Sequence, residues 1–224
     1  MLIGSSGGAG NSGGGSVGSG SGGGTTVPGA IAIGGRTDSL VAGPPVSVSG
    51  AGAGSGAAGD PLSPEQAQAW FDHFKADSTI PWNYPNDCCY TRAEVMARQL
   101  RAAKVPVGKQ WNYAPPGGAL TVPTPNDPSG QVQWGYHVAP TVPVRGANGV
   151  VRSMVIDPSI SDRPLTPRQW ADLQNQPDSE LVGTASEPYY RYPDGRTVAA
   201  PSDAALSETL EGHREARERN WSGQ

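Results

Sequence analysis

Three kinds of side chain in this 224-residue chain could together perform nucleophilic catalysis: a thiol, an imidazole and a carboxylate. Cys88 and Cys89 are the only cysteines of the chain, and they precede His137 and Asp157. An imidazole can take the proton of a thiol, while a carboxylate holds the ring in the required tautomer and stabilises its charge. The order cysteine, histidine, aspartate therefore points to a hydrolase or acyltransferase with a cysteine nucleophile.

A helix is predicted to carry the two cysteines at its start. Steps of three and four residues place one set of side chains on a shared face: Cys89, Ala93, Met96, Leu100 and Ala103. Cys88 falls on a different face, so the helical phase points Cys89 toward the body of the fold. Asn86 or Asp87 is expected to cap the helix, and the positive end of the helix dipole favours a thiolate in the first turn. The alternative is that both cysteines pack as small structural side chains.

A hairpin is predicted to bring His137 and Asp157 together. Residues 131–139 alternate, with large side chains on one side and small ones around the histidine on the other. Residues 150–157 read as a second strand after a turn cluster. If the hairpin is centred on Ala147, His137 pairs directly across from Asp157 on the same face. A purely structural histidine–aspartate hydrogen bond would explain this pair equally well.

Four residues are candidates for supporting roles around the triad. The oxyanion of an acyl-transfer intermediate needs preorganised donors. The backbone N–H of Cys89 is one, and the side chain of Asn83 or Asn86 is a candidate for the second. Trp134 and Tyr136 flank the histidine and are expected in the core or, alternatively, at the rim of the substrate site. The chemistry requires no cofactor, and the three histidines lack the spacing of a zinc site.

Two other helices are predicted from their caps. Ser63 and Gln66 form a capping box with a proline at the first helical position. The apolar face of this helix is formed by Ala67, Trp70, Phe71 and Phe74. Thr166 caps a later helix, in which Trp170 and Leu173 are expected to point inward.

The predicted fold class is α+β. A cysteine-bearing helix packed on an antiparallel hairpin is the core of papain- and transglutaminase-like folds. Residues 114–130 are expected to form a long loop and residues 186–201 an irregular segment, while residues 203–219 read as a polar, charge-rich helix.

The first 60 residues differ in composition from the rest of the chain. They hold 21 of the 32 glycines and contain no Phe, Trp or Tyr. Such a segment cannot bury enough apolar surface to offset its ordering entropy. Residues 1–60 are therefore predicted to be a disordered Gly/Ser/Ala-rich linker, and residues 61–224 a single catalytic domain. The first ten residues lack the features of a signal peptide, so we expect either another export route or a piece of a longer chain.

Charge and hydropathy exclude several classes of partner. The net charge is −4 and the chain has no basic run, which makes nucleic acid an unexpected partner. It also contains no apolar stretch near the roughly 20 residues that a membrane span needs. Two adjacent cysteines cannot staple distant segments, so a disulfide scaffold is not expected.

Three segments stand in the order of a known set of motifs. Residues 87–93 read Asp-Cys-Cys-Tyr-Thr-Arg-Ala, residues 134–140 read Trp-Gly-Tyr-His-Val-Ala-Pro, and residues 155–159 read Val-Ile-Asp-Pro-Ser. They resemble the motifs D-G-C-Y/W-A-R-A, W-S-Y-H-V-A-P and V-I-D-P-S of bacterial protein-glutamine glutaminases, which are protein glutamine deamidases. The resemblance extends over roughly residues 80–175.

The resemblance implies a role for each member of the triad. Cys89 would be the nucleophile, His137 the general base and acid, and Asp157 the residue that orients the ring. Cys88 stands where the family has glycine. The implied reaction converts glutamine side chains of proteins or peptides to glutamate with release of ammonia, through a thioester and without a cofactor.

Other interpretations remain open from the sequence. The same triad would suit a transglutaminase-type acyltransferase or a cysteine protease, and a non-catalytic binding module is a further alternative. The resemblance to secreted bacterial enzymes implies that the protein is secreted or delivered to a target cell as an effector or toxin domain. The sequence identifies neither the target protein nor an immunity or inhibitory partner.

Overall fold

The computed structural model describes residues 59–83, 87–125, 127 and 129–221. Residues 1–58, which make up nearly all of the predicted linker, lie outside the described residues. The described part contains four helices and eight strands, in the order α1 (Pro64–Ala76), α2 (Cys89–Ala102), β1 (Gly108–Tyr113), β2 (Leu120–Pro123), β3 (Gln131–Trp134), β4 (Tyr136–Arg145), β5 (Val151–Val155), α3 (Pro167–Asp172), β6 (Glu180–Ala185), β7 (Pro188–Arg191), β8 (Thr197–Ala199) and α4 (Asp203–Trp221).

The predicted starts of α1 and α3 are confirmed. In α1, the Ser63 side chain accepts a hydrogen bond from the Gln66 backbone, while the Gln66 side chain accepts one from the Ser63 backbone. Thr166 and Gln169 form the same capping box at α3. The predicted apolar face of α1 is buried in the first core cluster, together with residues of α2 and β4. These helices therefore begin where local side-chain chemistry satisfies their first free N–H groups.

An antiparallel sheet in the order β5-β4-β1-β6 forms the centre of the domain. One of its faces carries Trp111 and Val138, which are Cα partners and pack in a cluster with Cys89 and Ala93 of α2. Because strand side chains alternate, His137 points to the opposite face, but it is the second residue of β4, and at this end of the strand its ring is still close enough to Cys89 for the thiol to raise the pKa of His137. That face is covered by a cluster that includes Trp170 of α3. The predicted α+β fold, with a cysteine helix on an antiparallel sheet, is confirmed.

The hairpin register differs from the prediction. Arg145 pairs with Val151, so the hairpin is centred on Asn148 and not on Ala147. The turn decides this, since the backbone of Gly146 donates to the carbonyl of Val150 and closes the loop there. On its other side, β4 pairs with β1, where His137 has Asn112 as its Cα partner, and Asp157 lies two residues beyond the end of β5.

The direct His137–Asp157 strand pairing was therefore wrong, although the two side chains still meet. Moving the centre of the hairpin by one residue changes the cross-strand partner of each residue by two positions. Because alternate residues of a strand share a face, Asp157 stays on the same face as His137. Extended past its end, the register would place Asp157 diagonally across from His137 and not directly opposite. Diagonal neighbours on one face lie within reach of long side chains.

Several segments expected to be irregular contain strands. The predicted strand 131–139 is broken at Gly135, so that β3 pairs with β2 and only β4 enters the central sheet. The segment 186–201 forms the β7–β8 hairpin.

The two inward positions predicted for α3 have different outcomes. Trp170 is fully buried as predicted, whereas Leu173 is 40% exposed because α3 ends at Asp172 before the chain turns away.

In the described part of the chain, no helix has the length and apolar character needed to cross a membrane.

Candidate active site

Cys89 is the first residue of α2 and is 8% exposed. The predicted side-chain cap is absent, because the residue at the N-cap position is Cys88 and its side chain makes no capping hydrogen bond. Asp87 instead accepts a hydrogen bond from the Cys88 backbone at 2.6 Å, and Asn86 lies outside the described residues. The N–H of Cys89 belongs to the first turn, whose N–H groups have no intrahelical partner. The thiol thus sits at the positive end of the helix.

Cys88 differs from Cys89 in both backbone and environment. Its φ of 77° lies in the left-handed region, which costs an L-residue roughly 1–2 kcal/mol and costs glycine almost nothing. This conformation explains why the motif that the chain resembles carries glycine at that position. The Cys88 side chain is fully buried, and burial raises the pKa of its thiol to about 11. Cys88 is therefore a protonated, inaccessible thiol at neutral pH.

His137 and Asp157 form a buried, hydrogen-bonded pair. The Nε2 atom of the ring lies 2.8 Å from the Asp157 Oδ2 atom, and the two residues are 1% and 3% exposed. Burial by itself would lower the pKa of His137, but the charge of Asp157 and the hydrogen bond to it, aided by Cys89, raise that pKa to about 9. Burial would raise the pKa of Asp157, yet His137 and two other donors lower it to about 2. The pair is therefore an imidazolium–carboxylate pair at neutral pH.

The orientation of the ring leaves one nitrogen for the cysteine. Because an ionised carboxylate only accepts hydrogen bonds, Nε2 of His137 must carry a proton. Nδ1 is buried and has no hydrogen-bond partner among the described residues. Cys89 is close enough to the ring to contribute to the raised pKa of His137. This arrangement therefore allows the Cys89 thiol to exchange its proton with Nδ1 of His137.

Two residues that the sequence did not single out complete the surroundings of Asp157. The indole N–H of Trp170 donates to Oδ2 at 2.8 Å. The backbone N–H of Ser159 donates to Oδ1 at 3.1 Å, and the Ser159 hydroxyl donates to the same oxygen. Ser159 belongs to the third motif, and the helical phase predicts that Trp170 points inward, but neither signal indicates a bond to the carboxylate.

Two indole rings also stack against the imidazole. The ring of Trp134 lies 4.4 Å from that of His137 between centroids, and the ring of Trp170 lies 5.4 Å from it. Trp134 reaches the histidine because the strand is broken at Gly135, which ends the alternation that would have placed the two side chains on opposite faces. The expectation that Trp134 lies in the core was wrong, since it is half-buried.

Tyrosines surround the cysteine on the other face of the sheet. Tyr136 packs against the cluster that contains Cys89, and burial, followed by the charge of Cys89, raises the pKa of its phenol. Tyr190 of the β7–β8 hairpin packs edge-on against Tyr136, with ring centroids 5.3 Å apart. Tyr136 was expected in the core, but it is half-buried at the edge of this cluster. Asn83, the candidate oxyanion donor, is also half-buried. On this side of the sheet, the thiol is therefore surrounded by aromatic side chains.

A cavity of about 580 Å³ lies apart from the thiol, between the end of β2, the loop that follows Asp157, and α3. Ser159 and Gln169 line it, whereas Cys89, His137 and Asp157 do not, so the cavity is separate from the candidate triad. Within the described residues, no group of three or more His, Cys, Asp or Glu side chains is placed to hold a metal ion.

A cysteine at the start of α2, an antiparallel sheet and a buried histidine–aspartate pair form an arrangement that suits a hydrolase or acyltransferase with a cysteine nucleophile. Residues 67–174 match the sequence profile of a family described as Glutaminase. The matched segment contains Cys89, His137, Asp157 and Trp170. This match and the similar solved structures support a protein-glutaminase assignment for that region and confirm the predicted enzyme class, a protein-glutamine deamidase.

Solved structures with the same fold agree with this assignment. The NMR structure of protein-glutaminase from Chryseobacterium proteolyticum is 27% identical, with a TM-score of 0.58 over 67% of this chain and 86% of that one. A crystal structure of the A47Q2 mutant of pro-protein-glutaminase is 26% identical, with a TM-score of 0.57 over 68% of this chain and 59% of that one. A crystal structure of protein-glutaminase, 24% identical over 67% of this chain and 88% of that one, supports the fold with a TM-score of 0.56. No curated protein sequence matches the chain significantly.

Proposed function

We propose that this domain hydrolyses the side-chain amide of glutamine residues in proteins or peptides, with Cys89 as nucleophile, His137 as general acid and base, and Asp157 as the residue that orients the ring. The observation that carries the assignment is the buried pair between His137 Nε2 and Asp157 Oδ2 at 2.8 Å, whose other ring nitrogen is left for the Cys89 thiol. The match of residues 67–174 to the Glutaminase family and the similarity to solved protein-glutaminase structures support the amide of protein glutamine as the substrate.

In the first half of the reaction, the Cys89 thiolate attacks the carbonyl carbon of the glutamine side-chain amide. The carbon–oxygen π bond opens to an oxyanion as the carbon–sulfur bond forms. The His137 imidazolium then gives its Nδ1 proton to the amide nitrogen. The oxyanion collapses, the carbon–nitrogen bond breaks, and ammonia leaves behind a thioester on Cys89.

In the second half, water replaces ammonia. The neutral ring of His137 takes a proton from the water at Nδ1, and the hydroxide attacks the thioester carbonyl. Collapse of the second oxyanion breaks the carbon–sulfur bond and releases glutamate and the Cys89 thiolate. Through both halves Asp157 holds Nε2–H, so the ring always presents Nδ1 to the reacting atoms.

Two oxyanions form in this sequence, and both need hydrogen-bond donors. The backbone N–H of Cys89 stands at the positive end of α2, which favours negative charge. The side chain of Asn83, half-buried shortly before the helix, is the candidate second donor. Asn86 is the alternative donor and lies outside the described residues.

The rim of the site is proposed to consist of Trp134 and Tyr136. Both side chains are half-buried beside the triad, which leaves part of each ring available to a substrate. Aromatic rings without charge suit the apolar methylene groups of a glutamine side chain and tolerate different neighbouring residues.

The setting of the reaction is also a proposal. The Gly/Ser/Ala-rich segment 1–60 ahead of a catalytic domain suits a protein that is secreted, or delivered to a target cell as an effector or toxin domain. Fractionation of the producing culture, with antibody detection of the catalytic domain, tests this. Detection of the domain in the cytoplasm of the producing cells alone would contradict it.

The neighbouring cysteines provide the test of the proposed function. Wild type, Cys89→Ala, His137→Ala and Cys88→Gly are incubated with a glutamine-containing protein, and ammonia is measured together with the mass of the intact product. We expect ammonia release and conversion of amide to acid by wild type and by Cys88→Gly, which removes the buried thiol and suits the left-handed backbone. Cys89→Ala and His137→Ala are expected to release none above background.

Other outcomes would select another reading of the triad. Crosslinked product would indicate a transglutaminase-type acyltransferase, and cleaved chains would indicate a protease. If Cys88→Gly abolished ammonia release while Cys89→Ala retained it, the nucleophile assignment would be wrong. Ammonia release at background level by wild type and all variants would point to a binding module whose triad is structural.

A further inference from the structure

Trp170 of α3 is a buried aromatic residue that contacts both members of the proposed catalytic pair, His137 and Asp157. Its side chain is fully buried. The capping box of Thr166 and Gln169 sets the start of α3, and the Trp170 backbone donates to the Thr166 carbonyl at 2.9 Å. The Trp170 carbonyl in turn accepts from the Gln174 side chain at 3.0 Å. These two hydrogen bonds hold the backbone from which the indole extends.

The indole meets both members of the catalytic pair at once. Its N–H donates to Asp157 Oδ2 at 2.8 Å, and that oxygen also lies 2.8 Å from His137 Nε2. Its ring lies nearly parallel to the imidazole, at 22° and 5.4 Å between centroids. The other carboxylate oxygen is held by the backbone and hydroxyl of Ser159. With both oxygens occupied, the carboxylate has no freedom to rotate away from the ring.

We propose that Trp170 is a positioning residue for catalysis: its indole N–H holds Asp157 Oδ2 in line with His137 Nε2, while its ring stacks on the imidazole. This rests on the proposed function of the triad. Trp170 is buried and cannot contact a substrate, so it acts only through Asp157 and His137. A carboxylate in a buried site keeps its charge only when donors satisfy it, and hydrogen bonds to charged groups are the strong ones.

The experiment compares two buried tryptophans. Trp170→Phe keeps a ring for stacking but removes the donor. Trp70→Phe is the matched control, because Trp70 is 1% exposed in the first core cluster and its N–H has no hydrogen-bond partner among the described residues. Loss of one hydrogen bond to a charged group predicts a fall in kcat of about 10- to 100-fold for Trp170→Phe, with KM unchanged. Trp70→Phe is expected to lose thermal stability to a similar degree and keep the wild-type kcat.

A spectroscopic measurement reads the position of the ring without relying on activity. The chain has three histidines, so the spectrum of ¹⁵N-histidine-labelled protein is simple, and His73→Gln and His213→Gln variants assign its signals. We expect the Nε2–H signal of His137 to be shifted downfield and protected from exchange in wild type and in Trp70→Phe. In Trp170→Phe it is expected to move upfield and exchange faster.

The proposal is overturned if Trp170→Phe loses no more kcat than Trp70→Phe, if its loss appears in KM alone, or if the His137 signal is unchanged. Should Trp170→Phe fail to fold, site-specific replacement of Trp170 by 3-benzothienylalanine puts sulfur in place of the N–H within a ring of the same shape, and the same readouts apply. Failure of the proposed function would look different: Cys89→Ala would then release ammonia as fast as wild type, whatever the His137 signal shows.

Discussion

Replacing Asp157 by Asn tests the electrostatic basis of the site. The carboxylate accepts from His137 and Trp170 at one oxygen and from Ser159 at the other. An amide has one accepting end and one donating end, so every orientation sets its NH₂ group against donors. Asp157→Asn therefore removes the charge beside His137 and also breaks at least one arm of the network, while nearly preserving side-chain size.

The magnitude follows from the pKa of His137. Burial would lower it, and the charge and hydrogen bond of Asp157, helped by Cys89, raise it from 6.5 to about 9. At about 1.4 kcal/mol for each pH unit, this difference corresponds to about 3 kcal/mol in favour of the imidazolium. Without Asp157 the pKa is expected at or below 6.5, so that at pH 8 only about one ring in thirty is protonated.

The assay is the pH dependence of kcat/KM for ammonia release. The imidazolium that protonates the leaving ammonia is lost as the pH rises through the pKa of His137, so the alkaline limb of wild type is expected near 9. In Asp157→Asn the limb should move down by about 2 pH units or more, with at least a 30-fold loss at pH 8. Asp172→Asn, which alters an exposed carboxylate paired with Arg168 on α3, is the control and should keep the wild-type profile.

The stability of the protein should follow the same titration. Because the folded-state pKa of His137 is raised, its contribution to folding is complete below about 6.5 and is lost as the pH rises through about 9. Wild type should therefore become less stable over this window, whereas Asp157→Asn should not. An alkaline limb near 9 in Asp157→Asn, with less than a threefold loss of kcat/KM at pH 8, would refute this account of the pair.

Two further predictions concern other buried groups. Iodoacetamide at neutral pH should alkylate Cys89 and leave Cys88 unmodified until the protein unfolds, because Cys88 is fully buried and burial raises the pKa of its thiol to about 11. Peptide mapping identifies the labelled cysteine, and labelling of Cys88 before Cys89 would contradict this prediction. Glu94→Gln should lower the free energy of unfolding by about 3–5 kcal/mol in urea titrations, because it leaves the buried Lys109, whose Nζ lies 2.6 Å from the Glu94 carboxylate, without its charge partner. Glu187→Gln, which alters an exposed carboxylate, is the control, and an equal effect of the two substitutions would refute the reasoning.

The sequence by itself determined the local features of this protein. The capping boxes at Ser63 and Thr166 mark the starts of α1 and α3, because the cap and its partner lie three residues apart. Helical phase placed Cys89 on the buried face of α2, and the motif order placed His137 and Asp157 with it. These signals are readable because each depends on neighbours within one or two turns, or on a short linear pattern.

Other features depend on long-range contacts and were decided only by the tertiary structure. The turn that closes at Gly146 shifted the hairpin, so His137 and Asp157 meet diagonally and not as a strand pair. The break at Gly135 put Trp134 on the ring of the histidine.

The environments of individual side chains belong to the same category. The left-handed backbone and full burial of Cys88 distinguish it from Cys89. The hydrogen bond from Trp170 to Asp157 joins α3 to the loop after β5. Burial, register and the direction of a single N–H arise when several elements pack together, and no local pattern of residues encodes them. Helical phase and motif, by contrast, are local, and they alone predict Cys89 as the nucleophile.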